Sequence, residues 1–271
     1  FDTSEVTSMF TMFMNCKSLA NIDLSKFDTS KVTSMYGMFY GCSSLRNIEI
    51  PSSVTRVDGY SFEGCSSLKN IKVALDNANY SSEAGVLYTK DKTTLVRYPG
   101  GKKGKAVILN GVTEIGNAAF SSCVGLTEIE IPNTVKRIGF CVFRDCCSLK
   151  SINLPDGVTS IRYQMFNDCS SLEHIEIPNS VVNIEDDAFK GCSSLKSMEI
   201  PSSVTRIEDC VFEACSNLKS VEIPNSVTSI GFSVVKDCPD VIIYCEADSR
   251  AHQYAVSNNL MFKLVDLEPT T

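Results

Sequence analysis

The sequence predicts an α/β solenoid dominated by β structure: a right-handed superhelix of short parallel strands, with a hairpin insertion and a C-terminal strand-helix-strand cap. Three observations point there. A valine recurs at Val112, Val135, Val158, Val181, Val204 and Val227, each 23 residues after the last. Eight residues on, Phe120, Phe143, Phe166, Phe189 and Phe212 keep the same beat, with Val235 in the last copy; eleven on stand Cys123, Cys146, Cys169, Cys192, Cys215 and Cys238. Between copies runs Leu-x-x-Ile-x-Ile-Pro, as in residues 172–178. Its alternation is that of a strand with one face buried, ended by a proline that cannot extend a ladder. A fixed period of this length marks stacked units, and crossovers between parallel strands are right-handed almost without exception.

In chain order, residues 1–73 hold three copies. Two open on Phe-Asp-Thr-Ser and are spaced by 26 residues: Val6, Met9, Phe13, Cys16 and Leu19, then Val32, Met35, Phe39, Cys42 and Leu45. The third, of the 23-residue kind, holds Val54, Val57, Phe62, Cys65, Leu68, Ile71 and Val73. Residues 74–105 break the beat, because Val54 and Val112 are 58 residues apart, one period of 23 plus 35. Within them, residues 85–90 and 94–98 read as two strands about the polar turn Asp91-Lys92-Thr93, ahead of Pro99-Gly100-Gly101. This β-hairpin is expected to cover the junction between the two repeat lengths rather than to stand out as a binding protrusion. Asn79-Tyr80-Ser81 within it matches a glycosylation sequon, a motif short enough to arise by chance.

Residues 106–240 carry the regular 23-residue copies, in which the stretch through Phe and Cys is too short for more than one turn of helix or 3₁₀. Residues 241–271 leave the repeat: 241–245 is strand-like, Ser249 is placed to cap a helix from Arg250 to about Asn258, and 261–265 returns as a strand. One unit cannot bury its own Val, Ile, Phe, Cys and Leu. Stacking about nine of them in register, roughly 4.7–4.9 Å apart, sets each apolar position on its equivalent. The cap is expected to shield the last rung. No matching cap opens the chain, so further repeats are expected to precede Phe1, and residues 1–4 carry no leader pattern.

Composition narrows the partners. Hydrophobic residues make up 43% and charged residues 21%, with a net charge of −7 and no run of Lys or Arg. Nucleic acid and anionic membrane both need concentrated positive charge, so neither is expected, and no apolar stretch approaches the ~18–20 residues of a membrane span. A protein or glycan partner fits better. The 13 cysteines are odd in number and contain no C-x-x-C pair. Nine share one repeat slot, where a small buried free thiol is the expected state, leaving Cys141, Cys147, Cys210 and Cys245 off the ladder. Cys141 and Cys210 share a slot three rungs apart, which puts them roughly 14 Å from each other, beyond disulfide reach.

Catalysis is not expected. The chain has two histidines, His174 and His252, in unrelated segments, and lacks G-x-S-x-G, H-E-x-x-H and a glycine-rich phosphate loop. His174 beside Glu173 and Glu176 reads as a surface histidine among charges, and His252 as a solvent-facing residue of the cap helix. No catalytic residue, cofactor or metal is assigned.

Residues 192–207 (CSSLKSMEIPSSVTRI), residues 79–88 (NYSSEAGVLY) and the FDTSxVTSM openings at residues 1–9 and 27–35 together resemble the BspA-like leucine-rich-repeat surface proteins. The likeness covers essentially the whole chain, cap included. It implies a leucine-rich-repeat superhelix, secreted or at the surface of a host-associated anaerobic bacterium or a parasitic protist, often adhering to host proteins or to other cells. It supplies no ligand and no active-site motif.

A partner would meet the outward positions of the Leu-x-x-Ile-x-Ile strand. The fifth reads Asp23, Glu49, Lys72, Glu130, Asn153, Glu176, Glu199 and Glu222; the third Asn21, Asn47, Asn70, Glu128, Ser151, His174, Ser197 and Ser220. The second, with Arg46, Lys69, Lys150, Lys196 and Lys219, makes a mostly positive rim. Glu128, Glu130, Asn153, His174, Glu176, Glu199 and Glu222 are the candidate binding residues. The duller reading is a solvated stripe that keeps a structural stalk soluble. Stacked Glu176, Glu199 and Glu222 also suggest a hard-cation site, a reading that the sequence favours least.

Overall fold

The computed structural model describes residues 2–265; Phe1, the opening residue of the first copy, and residues 266–271 lie outside it. The repeats stack as two parallel ladders on opposite sides of the buried interior. The front ladder holds Asn47–Ile50, Asn70–Val73, Gly104–Val107, Leu126–Glu130, Ser151–Asn153, His174–Glu176, Ser197–Glu199 and Ser220–Glu222. The back ladder holds the two-residue strands Glu114–Ile115, Arg137–Ile138, Ser160–Ile161, Asn183–Ile184, Arg206–Ile207 and Ser229–Ile230. Register follows the sequence period, so that Ile161, Ile184, Ile207 and Ile230 lie side by side.

The side joining back to front is neither helix nor 3₁₀ in the regular copies. Two residues per rung take the left-handed conformation, such as Cys141 (φ 55°) and Asp145 (φ 58°), and this breaks any helical run. It also turns alternate amides along the rod: Cys141, Phe143 and Asp145 donate N–H to Tyr163, Met165 and Asn167 of the next rung, each at 2.9 Å. Glycine occupies one such position at Gly191, where φ is +73° and a Cβ would lie 2.2 Å from Asp168 Oδ1.

Inside, the phenylalanines form a continuous stack, with Phe120, Phe143, Phe166, Phe189 and Phe212 spaced 5.3–5.5 Å centroid to centroid. All the cysteines are free. Eight of the nine ladder thiols are buried; Cys16 is exposed on the outermost described rung. Burial is only part of why cysteine suits this slot. Each buried ladder thiol donates to the carbonyl of the preceding rung's aromatic residue, Tyr98 for Cys123 and a phenylalanine for the others, as Cys169 to Phe143 (3.0 Å) and Cys192 to Phe166 (3.2 Å).

The insertion departs from the expected hairpin. Tyr80–Glu83 adds a third strand, antiparallel to Val86–Thr89, which pairs in turn with Thr94–Arg97. The last of these joins the back ladder through Leu95 and Ile115, Tyr98 stacks on Phe120 at 4.9 Å, and Gly104–Val107 takes a front-ladder place beside Leu126–Glu130. Residues 94–108 are thus an abbreviated rung, and the 74–105 boundary cuts through its front strand. Leu109 in the proline slot and Ala106 in an isoleucine slot had hidden it.

The meander is a plate between two cores. Tyr80, Leu87 and Val96 pack into the N-terminal core, while Val86, Tyr88, Leu95 and Tyr98 pack into the C-terminal one. It therefore lies one rung beyond the place where the repeat lengths change, between the Val54 and Val112 copies, and does not protrude. At its centre Arg97 is fully buried, donating to the carbonyls of Phe62 (2.9 Å), Ala118 (2.6 Å) and Ser121 (2.8 Å). Asn79 of the sequon is exposed.

The cap follows the sequence closely: strand Ile242–Cys245, helix Arg250–Ser257 with Ser249 accepting from the His252 N–H, and strand Met261–Leu264. Both strands extend the front ladder in parallel. All four residues of the final strand are exposed, so among the described residues the cap moves the sheet edge outward rather than abolishing it. His252 is half-buried: its ring packs on Phe262 at 4.9 Å, and Nδ1 accepts from the Asp248 N–H.

Candidate functional site

Strand alternation buries Ile152, Ile175, Met198 and Val221 and turns their neighbours outward, so the front ladder presents an ordered row of polar side chains. His174 lies beside Ser151, Glu176 beside Asn153 and Glu199 beside Glu222. Glu222, half-buried, borders Tyr244 of the cap. Six of the seven candidate residues are exposed, so the face is open along its length.

Its acidic character is uneven. Lys105 Nζ sits 2.9 Å from Glu128 Oε1 and also pairs with Glu130. The Lys105 ammonium is held above the usual lysine range by its bonds to Glu130 and then Glu128. Those two carboxylates therefore share one ammonium within the chain, from a lysine on the hidden rung, and the group keeps one net negative charge. Counting back from Val112 in the 23-residue frame places Lys105 opposite Glu128 and was the available signal. At the other end Lys219 of the rim pairs with Asp240 at 2.6 Å.

Shallow clefts follow the ladder. Asn153 and Glu176 share one with Leu154, Asp156, Ile177 and Pro178; Glu128, Glu130 and Asn153 line another with Ser151. The larger lies on the N-terminal rungs, over Asn21, Asn47 and Asn70, with Asp23, Glu49, Lys72, Phe27 and Pro51 around it. Its polar residues Asn21, Asn47, Asn70, Asp23, Glu49 and Lys72 belong to the outward stripe of the sequence, whose candidate binding residues lie on later rungs.

The carboxylates of Glu176, Glu199 and Glu222 do not gather as a cation site. Among the described residues the grouping with ligand atoms within 4.8 Å of one another is Asp187, Cys210 and Glu213. That space is served by ammonium groups: Lys190 Nζ lies 3.5 Å from Asp187 and 3.4 Å from Glu213, and Lys236 Nζ 3.3 Å from Glu213. Burial and the Glu213 carboxylate push the Cys210 thiol up to about 11, the reverse of what a thiolate ligand or nucleophile needs. The register partner of His174 is Ser151.

Residues 7–90 and 113–242 match the family described as BspA type leucine-rich repeat region, in six copies. The unmatched interval contains the abbreviated rung. No curated protein matches the chain in sequence. Among solved structures, a leucine-rich repeat protein from Eubacterium ventriosum is similar at 28% identity and TM-score 0.62, over 76% of this chain and 62% of that one. A leucine-rich cell surface protein from Faecalibacterium prausnitzii is similar at 29% and TM-score 0.63, over 83% and 68%. The pneumococcal vaccine antigen PcpA, at 22% and TM-score 0.68 over 89% and 62%, shares the fold. The chain spans less than two thirds of the length of the Eubacterium protein and of PcpA. With the family matched over most of its length and the same stacked architecture in these relatives, the chain belongs to the BspA type leucine-rich repeat family.

Proposed function

We propose that this protein is a non-enzymatic binding or adhesion module, secreted or displayed at a cell surface, which holds a protein or glycan partner on its front ladder. The observation that carries this reading is the exposed, in-register polar row itself. Glu176, Glu199 and Glu222 hang on a rigid ladder with fixed spacing, so a mixed-charge or basic partner meets a preorganised surface. The leucine-rich cell surface protein of Faecalibacterium prausnitzii supports the location. Among the described residues no helix is long and apolar enough to cross a membrane.

The test is a screen of the immobilised chain against soluble host matrix proteins, followed by the triple variant Glu176→Lys, Glu199→Lys, Glu222→Lys. Saturable binding that weakens at least tenfold in the variant supports the reading. Unchanged binding removes the C-terminal part of this face. Uniform failure to bind favours a structural stalk, a reading that the internal pairing of Glu128 and Glu130 with Lys105 also suits.

A further inference from the structure

The front ladder carries a second kind of surface on its first three rungs. Asn21 bridges to Asn47, and Asn47 is the register partner of Asn70, so three carboxamides stand one above another. Asn70 Nδ2 donates to Asn47 Oδ1 at 3.1 Å. A carboxamide has two N–H donors and an oxygen with two acceptor sites, so this bond leaves each amide able both to give and to accept toward the cleft. One rung direction is closed, because Gly85 of the meander turn lies so near that a Cβ there would meet Asn70 Oδ1 at 2.7 Å.

The walls have a different chemistry from the floor. Asp23 is fixed by the N–H of Ser25 at 3.0 Å and its hydroxyl at 2.6 Å, both on Oδ1, leaving Oδ2 as an acceptor. Glu49 and Lys72 are register partners on the floor's outer row. Phe27 and Pro51 add apolar surface. Two carboxylates against one ammonium leave the cleft net negative, which opposes anionic ligands. The floor's backbone groups are engaged in the parallel ladder, so an extended peptide gains no strand pairing here and meets only side chains.

We propose that this cleft binds a neutral oligosaccharide, its hydroxyls exchanging hydrogen bonds with Asn21, Asn47 and Asn70 and its apolar ring face resting toward Phe27 and Pro51. The match is one of kind: a sugar hydroxyl, like a carboxamide, is donor and acceptor at once and carries no charge. Repetition of the amide at ladder spacing, roughly 4.8 Å, presents the same recognition unit to successive sugars. The inference rests on the reading that the front ladder is a binding face, and places a glycan on its N-terminal third.

The experiment measures binding of chitotetraose, cellotetraose and lacto-N-tetraose to the whole chain by calorimetry, with 3′-sialyllactose, a heparin tetrasaccharide and a basic peptide as contrasting arms. At least one neutral sugar is expected to bind saturably. Asn47→Asp, which keeps shape but removes a donor, and Asn21→Ala are each expected to weaken it at least tenfold, with melting temperature unchanged. The Glu176→Lys, Glu199→Lys, Glu222→Lys variant should bind the sugar as the parent does. Failure of every neutral sugar, preference for an anionic sugar or the peptide, or indifference to both asparagine changes overturns the proposal. Protein binding lost in the glutamate variant alongside failed sugar binding would sink this inference and leave the broader reading standing.

Discussion

A ladder cysteine illustrates how one side chain serves its neighbours. Its thiol fills a small buried site and caps the carbonyl of the preceding phenylalanine, with Cys146 on Phe120, Cys169 on Phe143 and Cys192 on Phe166. Desolvation raises every one of these thiols: Cys123 and Cys238 reach about 11 and Cys65 about 12, while Cys146, Cys169 and Cys192 lie well above the ordinary thiol. An unfolded thiol ionises near pH 8.5. Below that value both states are protonated and stability is intact. Above it the unfolded chain holds fewer protons than the folded one, so stability falls as pH rises, by about 1.4 kcal/mol per pH unit for each buried thiol still protonated. The urea midpoint should therefore drop steeply between pH 8 and pH 10, and the double variant Cys169→Val, Cys192→Val should flatten that slope. A midpoint independent of pH across this range would contradict the burial.

At the scale of elements, each stack is closed by a tyrosine hydroxyl on a backbone group. Tyr80 of the meander accepts from the Val57 N–H at 2.8 Å, and Tyr254 of the cap helix accepts from the Val234 N–H at 3.0 Å. Tyr254→Phe leaves that buried amide without its acceptor and should destabilise the chain by about 1–3 kcal/mol in urea unfolding. A loss under half a kilocalorie would mean that water or another group takes its place. Much of this level was legible in the residues. The valine beat, the Leu-x-x-Ile-x-Ile strand and Ser249 as a cap all rest on local pattern, and local pattern is what sequence reports directly. The outward stripe was legible too, as was each of the seven candidate residues' place on it. What escaped was Lys105, because its rung keeps the period but not the residue types, and the larger N-terminal cleft, because a cleft depends on how turns from three rungs flank one floor. The third strand at Tyr80–Glu83 escaped for a related reason. Its Ser81-Ser82 carries no apolar alternation, and its pairing with Val86–Thr89 decides its conformation.

For the molecule as a whole, the decisive feature is that two cores meet across one plate. Arg97 binds carbonyls from both sides of it, Phe62 on one and Ala118 and Ser121 on the other. Glu63, itself buried, accepts from the Ser121 hydroxyl at 3.2 Å and faces Arg144 of the following rung at 3.7 Å, tying the two sides further. Repeat arrays hold together through nearest-neighbour interfaces, so weakening this one should uncouple the halves. Arg97→Met is expected to cost about 3 kcal/mol or more and to split a single calorimetric transition into two. A lone transition with unchanged cooperativity would show that the plate is not the weak interface. The sequence by itself determined the rung, its register and its outward row, since a repeat that must bury the same side chains each time can only stack on itself. Tertiary structure alone decided where that repetition stops. A buried arginine and a strand apolar on both faces make sense only once a second core lies against them, and no single rung carries that information.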